Sequence, residues 1–151
     1  MKKTSRIALI VLTFTAMFAL SGCENYPEGV PSLYSSEYRI VNSWQVTHTF
    51  LNGKEIEDTE YTAYKPETFY YLYADHVMRV VGKFNGEIRE SSFATYILDP
   101  KAKTIDFNYT FCGKRYIYTA NVMRLSRRDF IIEFNDEHGD HWRIEMYSRS
   151  Y

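Results

Sequence analysis

Beyond residue 38, apolar and polar side chains alternate with a period of two, the pattern of β-strands that bury one face against a core. In the stretch 105–111 every odd-numbered residue is apolar or aromatic and every even-numbered residue is polar. In 142–146 the even-numbered residues are apolar and the odd-numbered ones charged, and in 130–134 Phe130, Ile132 and Phe134 alternate with Ile131 and Glu133. In the first strand, the residues expected to share one face are Trp44, Val46, His48 and Phe50. A chain of this kind is expected to form antiparallel sheet, so we predict an all-β fold.

Turn signals separate the alternating stretches. Asn52-Gly53 and Asn85-Gly86 are pairs that tolerate the positive φ of a tight hairpin turn, and the second predicts that 77–84 pairs with 87–93. Further turns are expected at 99–103, at 126–129 and in the polar loop 135–140, while Cys112-Gly113 ends the strand before it. We therefore expect eight or nine strands at a spacing of about 8 to 12 residues.

Sequential strands joined by short loops form a meander, and a meander of this size commonly closes to remove its edges. We predict an antiparallel up-and-down β-barrel of about eight strands. An open sandwich is the alternative. The stretch 55–66 is compatible with a strand, a short helix across one barrel end, or a loop.

The N-terminus reads as an export signal. Lys2, Lys3 and Arg6 precede the uncharged run 7–20, which is shorter than the roughly 20 residues of a membrane span. The following Leu20-Ser21-Gly22-Cys23 resembles the lipobox of bacterial lipoproteins, in which the Cys thiol is diacylated and becomes the new N-terminus. We predict lipidation of Cys23, with an ordinary cleaved signal as the alternative.

The prediction divides the chain into a signal peptide (1–22), a lipidated tether (23–37) and a barrel domain (38–151). Pro27, Gly29 and Pro31 discourage regular structure in the tether. Glu24, rather than Asp, follows the lipidated Cys, and this favours the outer membrane over retention in the inner membrane. Periplasmic face and cell surface both stay open.

Several elements together resemble the lipocalin-like lipoproteins common in Bacteroidota. They are the lipobox, Trp44 early in the first strand, the Ala74-Asp75-His76 turn after an aromatic strand, 95–99 (Thr-Tyr-Ile-Leu-Asp) and 125–130 (Leu-Ser-Arg-Arg-Asp-Phe). The resemblance covers nearly all of the mature domain and implies a small antiparallel barrel with a hydrophobic interior or calyx. Asn42-Ser43-Trp44 stands where true lipocalins have Gly-x-Trp.

An eight-stranded barrel is just wide enough to be filled by its own side chains or to hold one small ligand. The aromatic residues expected to face inward, and hence to pack the core or line a pocket, are Trp44, Phe69, Tyr71, Tyr96, Phe107, Tyr109, Phe130 and Trp142. A filled barrel and a calyx both remain open. Tyr hydroxyls in an apolar wall suit a small hydrophobic or amphipathic ligand.

Charge and motifs exclude several function classes. Three of the 18 basic residues precede residue 22 and all 19 acids follow it, so the chain from residue 23 carries a net charge of −4, and no nucleic-acid partner is expected. No catalytic motif is present, and we predict neither an enzyme nor a cofactor. The His- and acid-rich loop 136–141 lacks the spacing of a zinc site, so no metal is predicted. Cys112 is expected to be buried beside Phe111.

Two functions follow as hypotheses. The first is a non-enzymatic, lipid-anchored envelope lipoprotein that binds a small hydrophobic or amphipathic ligand. The alternative is an accessory subunit that docks on an outer-membrane protein complex through a sheet edge and exposed aromatic residues. The residues suggested for that docking patch are Tyr61, Tyr64, Tyr70 and Tyr73.

Overall fold

The computed structural model describes residues 26–28, 32, 34–56, 63–66, 68–84, 87–90, 94–99, 101 and 103–149. The signal peptide 1–22, Cys23, Tyr61 and the Asn85-Gly86 turn lie outside the described residues. Among the described residues, one short helix precedes ten strands. The elements are α1 (Ser36–Ile40), β1 (Asn42–Leu51), β2 (Lys54–Glu55), β3 (Phe69–Leu72), β4 (Met78–Phe84), β5 (Glu87–Glu90), β6 (Ala94–Asp99), β7 (Thr104–Phe111), β8 (Lys114–Leu125), β9 (Asp129–Asn135) and β10 (His141–Ser148).

The strands form one antiparallel sheet in the order β5-β4-β3-β1-β10-β9-β8-β7-β6, with β2 added to the far end of β1. Pairing of β1 with β10 joins the first strand to the last. At the other seam Val77 lies opposite Thr95, and the Tyr96 amide donates to the His76 carbonyl oxygen at 3.0 Å. The result is a nearly closed barrel of eight strands, which confirms the predicted up-and-down barrel over the open sandwich.

Strands β5 and β6 follow one another along the same edge of β4. Glu90 in β5 lies opposite Val81, and Thr95 in β6 lies opposite Val77. The predicted hairpin is confirmed on both sides of its turn, since Phe84 pairs with Glu87. The two strands therefore share one of the eight positions around the barrel.

The alternation of the sequence is realised most regularly in β6 and β7. In β7, Ile105, Phe107, Tyr109 and Phe111 are buried while the residues between them face solvent. In β1 the alternation fails, because a β-bulge between Val46 and His48 shifts the register against β10. Beyond the bulge Thr49 is buried and His48 is exposed, so the prediction that His48 and Phe50 share a face with Trp44 and Val46 is wrong.

The two ends of the barrel differ. We call the end that carries α1, the turn 73–76 and the turn 126–128 the helix end. The opposite end carries the turns 52–53, 112–113 and 136–140 together with the segment 63–66, and we call it the plug end. Within the described ranges, no helix has the length and apolar character needed to cross a bilayer.

Candidate functional site

Tyr64, in the segment 63–66 between β2 and β3, inserts into the barrel at the plug end. Its ring centroid lies 4.9 Å from that of Trp142, 5.3 Å from that of Phe134 and 5.4 Å from that of Tyr116. These rings come from β10, β9 and β8, so one inserted side chain contacts three strands. The stretch 55–66, whose structure the sequence left open, thus supplies a plug in its described part.

Buried hydroxyl groups hold the plug segment in place. The Tyr70 hydroxyl donates to the Ala63 carbonyl oxygen at 2.8 Å and lies 3.1 Å from the Tyr109 hydroxyl. The Thr49 hydroxyl donates to the Tyr64 carbonyl oxygen. Burial raises the pKa of Tyr70 and of Tyr109 well above the ordinary value, because a phenolate there would lose its hydration. These side chains therefore stay protonated hydrogen-bonding groups across the physiological pH range.

The predicted inward-facing residues divide into two groups. Five lie in the buried core, and these are Trp44, Tyr96, Phe107, Tyr109 and Phe130. Trp142 is partly buried against the same core, and its indole nitrogen donates to the Asp136 carboxylate at 3.0 Å. Phe69 and Tyr71 do not face inward, so the prediction is wrong for both.

In strand β3 the residues that face the core are shifted by one position from the predicted ones. Tyr70 lies opposite Trp44 across the β1–β3 pair, and both are fully buried. Leu72 is buried on the same face, whereas Phe69 and Tyr71 lie half-exposed on the other. Because side chains alternate along a strand, a shift of one residue exchanges the two faces completely. Tyr70 and Leu72 are the core residues that sequence reasoning missed here.

At the helix end, α1 is fastened to the barrel by buried polar contacts. Ser35 caps the helix, its hydroxyl oxygen accepting from the Tyr38 amide at 3.3 Å. The Trp44 indole nitrogen donates to the Ile40 carbonyl oxygen at 2.9 Å. Arg39 is buried and donates to the Leu125 carbonyl oxygen at the end of β8. The helix therefore stays beside the barrel rim instead of entering it.

A cavity of about 1020 Å³ opens between α1, the β3–β4 turn and the β8–β9 turn. Apolar and aromatic side chains on its lining include Tyr71, Leu72, Tyr96 and Leu98. The Tyr96 hydroxyl donates to the Tyr73 carbonyl oxygen at 2.5 Å, and burial raises the pKa of Tyr96 to about 12. Two of the eight predicted ligand-binding residues, Tyr71 and Tyr96, thus line this cavity.

The charged side chains of the cavity are mostly basic. Arg39, Arg127 and Arg128 line it, and Glu37 is the one acid among the described lining residues. Arg39 is occupied with backbone carbonyl oxygens, while Arg127 and Arg128 lie exposed on the β8–β9 turn. An apolar wall beside exposed guanidinium groups can hold the apolar part and the anionic group of one amphipathic molecule.

The described part of the predicted tether contacts the barrel wall. Tyr26 is 4% exposed, and the Arg39 guanidinium lies 5.4 Å from the centre of its ring. The Glu28 amide donates to the Met123 carbonyl oxygen at 2.8 Å, and both Glu28 carboxylate oxygens accept from Arg143 at 2.7 Å. These hydrogen bonds lower the pKa of Glu28. Residues 26–28 are therefore fastened to the fold.

Two further predictions about surface and core are wrong. Cys112, expected to be buried, is exposed, because it occupies the β7–β8 turn with a φ of 50°. Of the suggested docking patch, Tyr64 and Tyr70 are buried, and only Tyr73 is exposed among its described members. That patch does not form from these residues.

The polar loop 136–140 is organised around one carboxylate. Asp136 accepts from the His138 and Asp140 amides at 2.9 Å and 3.0 Å as well as from Trp142. These hydrogen bonds, the one from Trp142 first, lower the pKa of Asp136. Its oxygens thus bind the turn itself.

No protein-family model matches the chain. A comparison with curated proteins likewise finds no relative. The geometry described above is therefore the basis for a functional proposal.

Proposed function

We propose that this protein is a non-enzymatic lipoprotein of the bacterial outer membrane, whose barrel binds a small amphipathic ligand in the cavity at the helix end. The observation that carries the proposal is the cavity itself. It places apolar side chains such as Leu72 and Leu98 within the same lining as Arg127 and Arg128. This combination selects a molecule with an apolar body and an anionic group.

The packed interior at the plug end supports this location over a calyx along the barrel axis. Tyr64 and the rings around it occupy the plug end, with centroid separations down to 4.1 Å between Tyr118 and Phe134. At the helix end, by contrast, the lining residues surround open volume. A ligand therefore finds room at the helix end without displacing core side chains.

The lipid anchor of the proposal comes from the sequence. Leu20-Ser21-Gly22-Cys23 behind the apolar run 7–20 supports acylation of Cys23, and Glu24 supports the outer membrane. Intact mass spectrometry of the protein purified from a bacterial envelope tests this part. The expected mass corresponds to residues 23–151 plus acyl chains, and a Cys23→Ala variant should lack the acyl chains.

The ligand is tested with residues 24–151, which contain every residue of the described fold. A fluorescent long-chain fatty acid and the corresponding alcohol are titrated, and binding is read by fluorescence anisotropy. Arg128→Ala should weaken binding of the acid about tenfold or more, since a hydrogen bond to a charged group contributes about 1.5–3 kcal/mol. Binding of the alcohol should change little.

Arg115 provides the matched control, because it is an exposed arginine at the plug end. Arg115→Ala should leave the affinity for both probes unchanged. Equal losses in the two arginine variants would show that the acid binds by overall charge. Absence of binding of both probes would exclude the cavity as a site for this class of ligand.

A further inference from the structure

Exposed hydrophobic side chains concentrate at the helix end. Of the nine large exposed hydrophobic residues among the described ones, five lie there, and these are Tyr34, Tyr38, Val41, Tyr73 and Val77. The other four are spread along the outer wall on different strands. Tyrosine is enriched at membrane–water interfaces, where its ring lies among apolar groups and its hydroxyl reaches water. The composition of this end is therefore that of an interfacial surface.

Basic side chains stand beside these aromatic residues. Arg127 and Arg128 are both exposed on the β8–β9 turn, and the Arg127 guanidinium lies 4.5 Å from the centre of the Tyr34 ring. Tyr34 in turn stacks on Tyr38 at a centroid distance of 5.3 Å. Each arginine near an anionic leaflet contributes about 1 kcal/mol of attraction. Arg127 and Arg128 thus offer electrostatic contacts to anionic lipid beside the apolar side chains, at an end that also carries the exposed acids Glu37 and Asp75.

The length of chain before the fold limits where the acyl anchor can lie. Tyr26 is buried against Arg39 of α1, and only three residue steps separate Tyr26 from Cys23. Three steps of a fully extended chain span at most about 11 Å. An acylated Cys23 therefore holds the bilayer surface close to Tyr26.

The path of residues 26–28 shows which end that is. Tyr26 contacts α1 at the helix end, whereas Glu28 pairs with Met123 and Arg143 further along the wall towards the plug end. From Glu28 to Tyr26 the chain thus runs towards the helix end. The anchor point precedes Tyr26, so it belongs to the helix end.

We propose that the helix end rests on the surface of an anionic bilayer. The surface that makes this contact consists of Tyr34, Tyr38, Tyr73, Val77, Arg127 and Arg128, and we call it the rim. The inference rests on the proposed function in one respect, the acylation of Cys23. It specifies that function further, because the cavity then opens towards the membrane and takes an amphiphile that resides in the bilayer.

The orientation can be measured on the acylated full-length protein in vesicles of phosphatidylethanolamine and phosphatidylglycerol. Native Cys112, exposed in the β7–β8 turn, carries a spin label at the plug end. The twelve residues of β8 lie between this turn and the β8–β9 turn, and the eleven steps between them span roughly 36 Å along the strand at about 3.3 Å per step. A second protein carries the label at the rim through Tyr38→Cys in a Cys112→Ser background.

Accessibility to oxygen, which partitions into lipid, and to a water-soluble nickel complex is then compared by electron paramagnetic resonance. The rim label is expected to show a several-fold higher oxygen-to-nickel ratio than the label at Cys112. Equal ratios at the two positions would overturn the proposal. The second outcome that would overturn the proposal concerns the purified protein without lipid. If a co-purified partner protein shields the rim label from the nickel complex there, the rim is a protein interface.

The electrostatic part is tested by charge reversal. Arg127→Glu combined with Arg128→Glu should return the rim label to the water-accessible profile, while Lys114→Glu combined with Arg115→Glu at the plug end should leave it unchanged. If neither pair changes the profile, anionic lipid is not recognised by the rim and the proposal is overturned in this form.

Intact mass spectrometry of the same samples distinguishes a failure of the proposed lipid anchor from a failure of the proposed orientation. An unacylated Cys23 would contradict the anchor of the proposed function. An acylated Cys23 with equal label profiles would contradict only the orientation proposed here.

Discussion

At the plug end, aromatic rings fill the barrel and buried hydroxyl groups tie the segment 63–66 to the strands, whereas at the helix end a cavity stays open beneath a short helix. The side chains of Tyr64 and Tyr70 pack and form hydrogen bonds within the protein. Arg127 and Arg128 lie exposed on the β8–β9 turn, where they line the cavity. The comparison teaches that the plug end is closed by the protein's own side chains, whereas the helix end keeps exposed guanidinium groups beside open volume.

The largest expected effect comes from raising the pH, which acts on the plug end. Burial raises the pKa of Tyr70, Tyr109 and Tyr118 above the unfolded value of about 10. Above pH 10 the unfolded chain has therefore lost protons that the folded chain keeps, and the free energy of unfolding falls. The slope is about 1.4 kcal/mol per pH unit for each such tyrosine.

Urea unfolding at a series of pH values measures this slope, and phenolate absorbance reports the ionisation directly. Tyr118→Phe should reduce the slope by the share of one tyrosine. If all 14 tyrosines ionise near pH 10 while the protein stays folded, the plug end is hydrated and the comparison fails.

Truncating the plug should destabilise the protein far more than truncating the rim. Tyr64→Ala removes a ring that contacts side chains of β8, β9 and β10, and comparable aromatic deletions cost about 3–5 kcal/mol. Tyr38→Ala at the helix end removes a side chain that is 60% exposed and should change the free energy of unfolding by less than about 0.5 kcal/mol. Chemical denaturation of both variants makes the comparison, which similar losses would refute.

Single hydroxyl groups sharpen the account of the plug end. Tyr70→Phe leaves the Ala63 carbonyl oxygen without its 2.8 Å donor, and we expect a loss of about 1–2 kcal/mol. Tyr118 provides the comparison, because its buried hydroxyl interacts with the Tyr70 and Tyr109 hydroxyls but meets the geometry of a hydrogen bond to neither. Tyr118→Phe should be neutral or stabilising at neutral pH. A larger loss for Tyr118→Phe than for Tyr70→Phe would show that the hydroxyl network is arranged differently.

The smallest effect concerns the N-terminal segment beside the helix end. Glu28→Gln removes the carboxylate that Arg143 binds and should lower the free energy of unfolding by about 0.5–1 kcal/mol at pH 7. The pKa of Glu28 is lowered in the folded state, so its contribution is present above the ordinary glutamate pKa of about 4.3 and is lost as the pH falls through the lowered value. The difference from wild type should therefore shrink at acid pH.

Denaturation at pH 7 and at pH 3 tests this dependence. Glu137→Gln is the control, since the Glu137 side chain is 82% exposed in the loop at the plug end. The control should match wild type at both pH values. A difference for Glu28→Gln that persists unchanged at pH 3 would mean that shape, rather than charge, accounts for it.

Much of the fold could be predicted because its strands obey a strict period of two. β6 and β7 bury every second residue, and a polar turn joins them into a hairpin. Local sequence therefore determines both the strands and which of their side chains face the core. β3 was predicted with the wrong face because 69–72 is apolar or aromatic at every position and carries no alternation. There the pairing of Tyr70 with Trp44 decides the facing, and that contact is not local.

The candidate site was less predictable, because it depends on a very short helix and on contacts between distant parts of the chain. The five-residue helix α1 is too short for a helical period, although Ser35 at its N-cap is a local signal that was available. Insertion of Tyr64 depends on rings from three distant strands, and the bulge in β1 depends on the register with β10. Tyr71 and Tyr96 were predicted as ligand residues along the barrel interior, whereas the cavity they line opens at the helix end.

The seam between β1 and β10 also has a consequence for the rate of folding. Trp44 lies opposite Ser148, so the first strand of the barrel finds its partner about a hundred residues later in the chain. Contacts of such separation carry a large loop-closure cost and form slowly. Until β10 pairs with them, β1 and β9 are edge strands with unpaired backbone groups. Truncation of the chain before residue 141 would leave these backbone groups unpaired permanently. Pairing of β1 with β10 therefore has to wait until β10 has been synthesised.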